Sequence, residues 1–411
     1  MTTNAARVHD VPGRTAPPSR FREAEARGAR LGRVLRRLGR VREVDEPLME
    51  RIGVAMTEHD EVGARLARAL RAPAGSPDRV TMGQLRRALA DGVDTVPDAP
   101  PALRDFFACV EATPDWVAPD LLERGAAVYR RFGQNAADVL LQLSLIGGYR
   151  FGGPPDLLVA TGGLAGDSTR RRLGETQKWT ASVSEPGAMQ RAADGTWGEG
   201  WRLTVHVRAM HALVDASFVD RWDVERWGLP VNQADQAATL GLFDAVVLLG
   251  VRVLGVPVSA DDSRAVMHLW RYVGWLLGVD EQWLVDDERE RHRLSYHLLR
   301  AQSGVTPAGA ELARDILAVV RRLPHGRFQA ERTLSMLSLF LGRASMRDLG
   351  LPWRPPWAHA YVVVLNTLRY RVAMRTPRGR AWVDRWAEGV VERVMAEYFG
   401  DDERRVGALP G

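Results

Sequence analysis

The chain has 411 residues, 45% hydrophobic and 26% charged, which is enough apolar material for a large core and far from a fibrous or wholly disordered composition. A single cysteine, Cys109, excludes an internal disulfide framework and any cysteine-rich zinc or iron–sulfur site. The net charge of +5 is local rather than global, because residues 1–45 hold eleven arginines against five acidic residues and the remainder stands at −1.

That basic head, residues 1–45, is expected to be mobile: up to about Arg30 it is rich in Pro, Arg and Ala and has no useful apolar periodicity. Peripheral contact of the head with anionic lipid is the lesser reading, and nucleic-acid binding is not expected. Helical patterns follow at Pro47 to Leu70, Thr81 to Ala90, Ala102 to Val110 and Asp120 to Phe132, the last with an acidic start and arginines in its final turn. Asn135 to Ile146 is strongly apolar and is expected to stop at Gly147-Gly148. A short apolar piece spans 155–164, and a helix over 168–184 is capped by Asp167 or Ser168 and ends before Pro186. A Gly-rich loop, 185–200, leads to a helix over 201–219. Further helical patterns fall at 233–254, 259–278, 281–302, 306–323, 329–342, 358–373 and 379–398.

Strand-like alternation is nowhere sustained and no repeat of 20–50 residues emerges, so the fold class is all-α, one large helical domain over 46–400 with a tail at 401–411. No run approaches the roughly 18–20 apolar residues of a membrane span, and the N-terminus lacks a secretory signal's apolar core. A cytoplasmic protein is expected. Lys178 is the only lysine, which reads as genome composition.

The helix over 201–219 carries the sharpest candidate. At about 100° per residue, His211 shares a face with Val207, Val214 and Phe218, Arg208 flanks it, and His206 points elsewhere. Two readings stay open: a core histidine bonded to a backbone carbonyl, or an imidazole ligand to haem, which needs a neutral ring nitrogen in an apolar setting. In Arg172-Leu-Gly-Glu-Thr176, Arg172 and Thr176 are four apart and present a cation and a hydroxyl to one side, while Arg172 and Glu175 also have ion-pair spacing. Asn232 is placed to cap the helix that follows it, and His268 lies in an apolar, aromatic run that reads as core. Phosphate-binding loops, dinucleotide fingerprints, His-Glu-x-x-His and di-iron Glu-x-x-His pairs are missing.

Taken in order, Leu145-Ile-Gly-Gly-Tyr149, Leu158-Val-Ala-Thr-Gly162, Arg171-Arg-Leu-Gly-Glu-Thr176, Val207-Arg-Ala-Met-His-Ala212, Gly228-Leu-Pro-Val-Asn-Gln233 with Thr239, and Leu269-Trp-Arg-Tyr-Val-Gly274 resemble the MpaB and latex-clearing-protein (rubber oxygenase) catalytic-domain family. The resemblance runs over about 145–280. It implies a globin-like helical domain holding one haem b, with His211 as proximal iron ligand and Arg208, Arg172 and Thr176 lining or supporting the haem pocket. It also implies an oxygenase that uses dioxygen to cleave a carbon–carbon double bond in an isoprenoid or another apolar small molecule. Where latex clearing proteins carry a lysine just before the family threonine, this chain has Glu175, a carboxylate that can handle a proton, with Lys178 three residues further on. A haem protein without turnover and a haem-free scaffold are the alternatives.

Overall fold

Asp, Ser, Thr and Pro mark the helix starts. In the computed structural model, which describes residues 16–162, 167–400, 404 and 406, the helices are α1 (Glu25–Leu31), α2 (Arg33–Leu38), α3 (Glu46–Ala55), α4 (Glu61–Leu70), α5 (Met82–Asp91), α6 (Pro101–Glu111) and α7 (Pro119–Arg131). They continue with α8 (Gln134–Val139), α9 (Pro154–Ala160), α10 (Asp167–Val183), α11 (Glu199–Phe218), α12 (Val224–Trp227), α13 (Gln233–Phe243) and α14 (Ala245–Val253). The last are α15 (Ala260–Leu276), α16 (Glu288–Ala301), α17 (Pro307–Arg322), α18 (Gly326–Asp348), α19 (Trp357–Asn366) and α20 (Pro377–Phe399). No strand occurs among the described residues beyond an isolated Arg191–Trp197 bridge, as expected of an all-α chain.

Caps fix several starts where the sequence places them. Thr81 and Gln84 form a reciprocal capping box on α5, and Asn232 accepts from the Asp235 amide at 2.9 Å at the head of α13. Ser259 and Thr376 cap α15 and α20 in the same manner. The cap expected from Asp167 or Ser168 lies outside the described side chains.

Two apolar cores organise these helices. The larger centres on α15, whose Val266, Met267, Leu269, Trp270, Val273 and Leu276 are fully buried, with α7 laid against it. The two backbones come so close that a Cβ at Gly125 would stand 2.3 Å from the Ala265 carbonyl oxygen, so only glycine fits there. The smaller core joins α17, α18 and α20 to Ile146, Tyr149 and Leu173.

The structure departs from the sequence expectations at several places; the pattern at 281–302, for one, is a 3₁₀ turn at Glu281–Trp283 followed by a helix only from Glu288, where Asp287 caps α16. From Pro18 onward the basic head packs onto the body: Arg20 is wholly buried, ion-paired to Asp235 at 2.5 Å and bonded to Gln302 at 3.3 Å, and α1 and α2 lie along α16. Residues 1–15 are outside the described part. The pattern Pro47 to Leu70 is two helices, α3 and α4, separated by a Thr57 to Asp60 turn whose acids and histidine serve tertiary contacts. Gly147 does not end its helix: α8 widens into a π-helix at Leu140–Ile146 and Gly147 continues with φ −61 and ψ −36.

The pattern 233–254 breaks at Asp244, where φ −95 and ψ −97 separate α13 from α14. The Asp244 carboxylate is there to meet the buried Arg291 at 2.8 Å. That same stretch, Gln233–Val253, passes for a membrane span by length and mean hydropathy, yet Gln233, Asp235, Gln236 and Asp244 interrupt it, so it is not an unbroken apolar run, and over half of its most apolar window is buried in the protein. Lastly, 329–342 is only the middle of α18, a longer element that kinks at Gly342 (φ 73).

Candidate functional site

The two cores leave an apolar cavity of about 570 Å³ at their junction, a size in the range of small-molecule sites. Leu140, Leu141, Leu143 and Leu145 of the π-helical segment, Leu173 and Thr176 of α10, and Ala238, Thr239 and Phe243 on or at the end of α13 supply much of its wall. Apolar side chains dominate, and the polar exceptions stand out. Tyr149 lies in the wall, its hydroxyl buried and without a hydrogen-bond partner, and burial raises its phenol well above the ordinary range although the Arg172 charge opposes this. The phenol therefore keeps its proton at any working pH.

Helix α10 carries the second sequence constellation and is locked to α11 by side chains. Trp179 Nε1 donates to Thr204 Oγ1 at 3.0 Å, and Lys178 pairs with Glu199 at 2.9 Å. Thr176 reaches the cavity while donating its hydroxyl to the Arg172 carbonyl at 3.1 Å. Arg172 lies near enough for its charge to be felt by both Tyr149 and His211. Glu175 takes another direction: its carboxylate accepts from Arg171 at 3.1 Å, and it is not among the residues lining the cavity. Neither it nor Lys178, held by Glu199, meets Thr176's cavity.

On α11 the deeply buried face is Trp201, Thr204, Val205, Arg208, Ala209, Ala212 and Leu213, not the expected Val207, His211, Val214 and Phe218, which are half-buried. The apolar face and the buried face differ because α4 packs on the side that holds Arg208. His211 borders a small gap of about 10 Å³ with His59, Asp60, Asp215 and Gln236, separate from the large cavity. Its Nδ1 is buried and has no partner. Burial lowers its basicity, helped by Arg172 and opposed by Asp60 and a hydrogen bond with Gln236, so the ring is neutral.

Arg208 does not reach either space as a free cation. Its Nε and Nη2 grip the Asp60 carboxylate at 2.6 and 2.7 Å, and although burial disfavours the charge, Asp60 raises the guanidinium above its usual range. Next to this pair, His59 Nδ1 lies 2.7 Å from Asp215, which also accepts from the Val231 amide at 3.0 Å. Burial pulls the His59 ring down, yet Asp215, Glu61 and Asp60 together raise it above the usual histidine range. This mesh braces the turn after α3 against the helix that bears His211. Sequence reasoning missed it; the signal was the polar Thr57-Glu-His-Asp60 interruption inside an apolar pattern. His268, by contrast, accepts from the Ala118 amide at 3.0 Å and is the structural histidine its surroundings suggested.

Asp280 closes the same acidic rim. Burial, with Glu58 and Asp60 close by, pushes its carboxyl up to about 6. Because that value is raised above the unfolded one, the stability it confers is complete below about pH 4 and is lost as pH rises through about 6. Asp280→Asn is therefore expected to match the parent near pH 4 and to exceed it by about 1 kcal/mol above pH 7, after allowance for solvent screening, in urea titrations at both pH values.

Helical architecture, an apolar cavity of ligand size and a half-buried histidine with a buried, unpartnered ring nitrogen define the class: an all-α domain with a ligand-sized cavity. More narrowly, the chain belongs to the family described as ER-bound oxygenase mpaB/B'/Rubber oxygenase, catalytic domain, which matches residues 136–378. It is similar to the rubber oxygenase of Streptomyces sp. (strain K30), with 26% identity over 124 residues, 30% of this chain and 30% of that protein. The matched stretch thus spans less than a third of that relative's length. A solved structure of latex clearing protein LCP in the closed state shares the fold, with a TM-score of 0.66 at 18% identity over 87% of this chain and 96% of that one.

Proposed function

We propose that this protein is a haem b oxygenase that uses dioxygen to cleave a double bond of an isoprenoid or a similar apolar small molecule. The observation that carries the reading is His211, a neutral imidazole with a buried, unpartnered Nδ1, on the chain position where the family motif calls for an iron ligand. As a donor atom that nitrogen suits haem iron, and of the two spaces only the large cavity, which His211 does not line, has the size for a macrocycle, whereas the gap His211 borders measures about 10 Å³. Among the described residues no group of three or more His, Cys, Asp or Glu side chains is placed to hold a bare metal ion, so an iron at His211 needs its remaining donors from a macrocycle.

When bound, the haem supplies the chemistry of dioxygen activation. The chain supplies the rest. His211 would offer the ligand nitrogen, Gln236 hydrogen-bonds the ring, and Arg172 would supply a positive charge near it. The leucines of the π-helical segment give an alkene an apolar wall from which water is kept. In the overall reaction the alkene double bond and the O–O bond break and two carbonyls form, with both oxygen atoms drawn from dioxygen and no external reductant required. Tyr149 Oη is a buried, unpartnered donor in the wall, Thr176 having given its hydroxyl hydrogen to the Arg172 carbonyl, and the proton-handling role expected of Glu175 has no geometric support from a carboxylate turned to Arg171.

Two experiments test this. Reconstitution with haemin should give a Soret band in stoichiometric amount, and its absence would overturn the proposal. Incubation with dioxygen and short isoprenoids should then yield carbonyl products; a loaded protein that never forms them across varied alkenes is a haem protein of another kind. Tyr149→Phe is expected to keep haem content and thermal stability, since no hydrogen bond is lost, while kcat/KM for the alkene falls roughly tenfold or more.

A further inference from the structure

From Leu349 to Val383 the chain has no acidic residue, yet it holds six arginines: Arg354, Arg369, Arg371, Arg375, Arg378 and Arg380. In the same stretch α19 runs on into a π-helical turn, Thr367–Val372, and then into α20. Along one face of this element Val364, Leu365, Leu368 and Val372 are 59%, 47%, 55% and 54% exposed, and Trp382 at the start of α20 is 47% exposed. Arg371, Arg375, Arg378 and Arg380 are exposed beside them, and none has an ion-pair partner among the described residues.

An unbroken stripe of large aliphatic side chains needs an apolar partner, because water gains nothing from it. The surrounding arginines add a second requirement, that the partner be anionic. A second copy of the chain meeting face to face would bring the same uncompensated cations together, and a nucleic acid would satisfy the arginines while leaving the aliphatic ridge in water. A bilayer with anionic headgroups satisfies both: guanidinium groups pair with headgroup phosphate and carboxylate, and the valines, leucines and tryptophan enter the boundary with the acyl chains. We propose that the α19–α20 face docks this protein onto an anionic lipid bilayer.

The face adjoins the cavity. Val253, 41% exposed, belongs to the cavity wall, and its carbonyl accepts from His359 of α19 at 2.9 Å. A docked molecule therefore brings the Val253 wall of the cavity near the membrane surface. The docking itself does not depend on the haem reading.

The test is flotation of the full-length protein with phosphatidylcholine vesicles, with and without phosphatidylserine, at low and high salt. The parent should float with the phosphatidylserine vesicles only, and less at high salt. Arg371→Glu with Arg375→Glu should weaken partitioning by at least about fivefold per arginine, and Leu368→Asp with Val372→Asp should abolish flotation, both with unchanged melting temperature. Failure of the parent to float would overturn the proposal, as would parental flotation of both variants. So would loss of binding in an Arg33→Glu, Arg37→Glu variant alone, which would assign the contact to α2. A dimer in sedimentation that Leu368→Asp dissolves would assign the face to a second copy. Displacement from vesicles by duplex DNA, with the Leu368 and Val372 variant unaffected, would assign it to nucleic acid.

Discussion

A His211→Ala variant reconstituted with haemin and passed through a desalting column is expected to retain at most a tenth of the haem that the parent retains, and to leave the fold intact. The expectation follows from the arrangement on α11. The imidazole is neutral because burial and Arg172 both disfavour its cation, and its Nδ1 has no protein partner to lose. Removing it thus breaks no internal hydrogen bond except that with Gln236, which faces only a gap of about 10 Å³. Far-ultraviolet circular dichroism and a urea midpoint near that of the parent separate loss of ligand from loss of structure. Full haem retention with an unchanged spectrum would move the ligand assignment to another residue. Addition of free imidazole is expected to restore a Soret band to the variant.

The converse holds one turn earlier. Arg208→Ala is expected to destabilise the protein by about 4 kcal/mol, because it strands the Asp60 carboxylate in a pocket from which water is largely excluded. Asp60→Ala should cost a similar amount by leaving the guanidinium, 2% exposed, without its counter-charge. The double variant should recover part of the loss, since the unpaired charge is then gone, and this recovery in a urea-denaturation cycle is the diagnostic. If both single variants lose less than about 1 kcal/mol, the pair is solvated and does not brace α11. Gly278 sits against the same pair with φ +82, where a Cβ would stand 2.6 Å from the Asp60 carboxylate, so this turn tolerates no side chain.

Much of the helical architecture was readable because apolar periodicity and capping residues are local signals. Asn232 does in the structure what its position announces, and Thr81 with Gln84, Ser259 and Thr376 are caps of the same local kind. The misreadings share one cause, contacts between residues far apart in the chain. Asp60 stands in a break between two helices that periodicity would run together, and its partner Arg208 lies 148 residues away. Asp244 does the same for Arg291, and Arg20 is drawn out of a basic head by Asp235.

In the site, motif order singled out His211, Arg172 and Thr176, and the structure sets α10 beside α11 with Thr176 at a cavity. It could not tell which face of α11 is buried, because that depends on α4. Nor could it separate the two spaces: Thr176 borders one and His211 the other, with Arg172 felt from both sides. Glu175 was a pocket candidate only through the family resemblance; spacing read it as an ion-pair partner of Arg172, and the structure gives it to Arg171, one turn before it at i, i+4.

The π-helical turn at Leu140–Ile146 amounts to one residue more than an α-helix of the same length would hold. An α-helix turns about 100° for each residue, so deleting one residue here would not simply shorten the segment; it would swing everything beyond it through more than a quarter turn relative to α8. Tyr149 and the Gly147-Gly148 surface lie just beyond, and they line the cavity only in the present phase. The bulge thus acts as a phase setting, coupling the length of one helix to which side chains look into the cavity. Sequences of this family that lack the extra residue should present a different wall to their ligands while keeping every neighbouring helix in place.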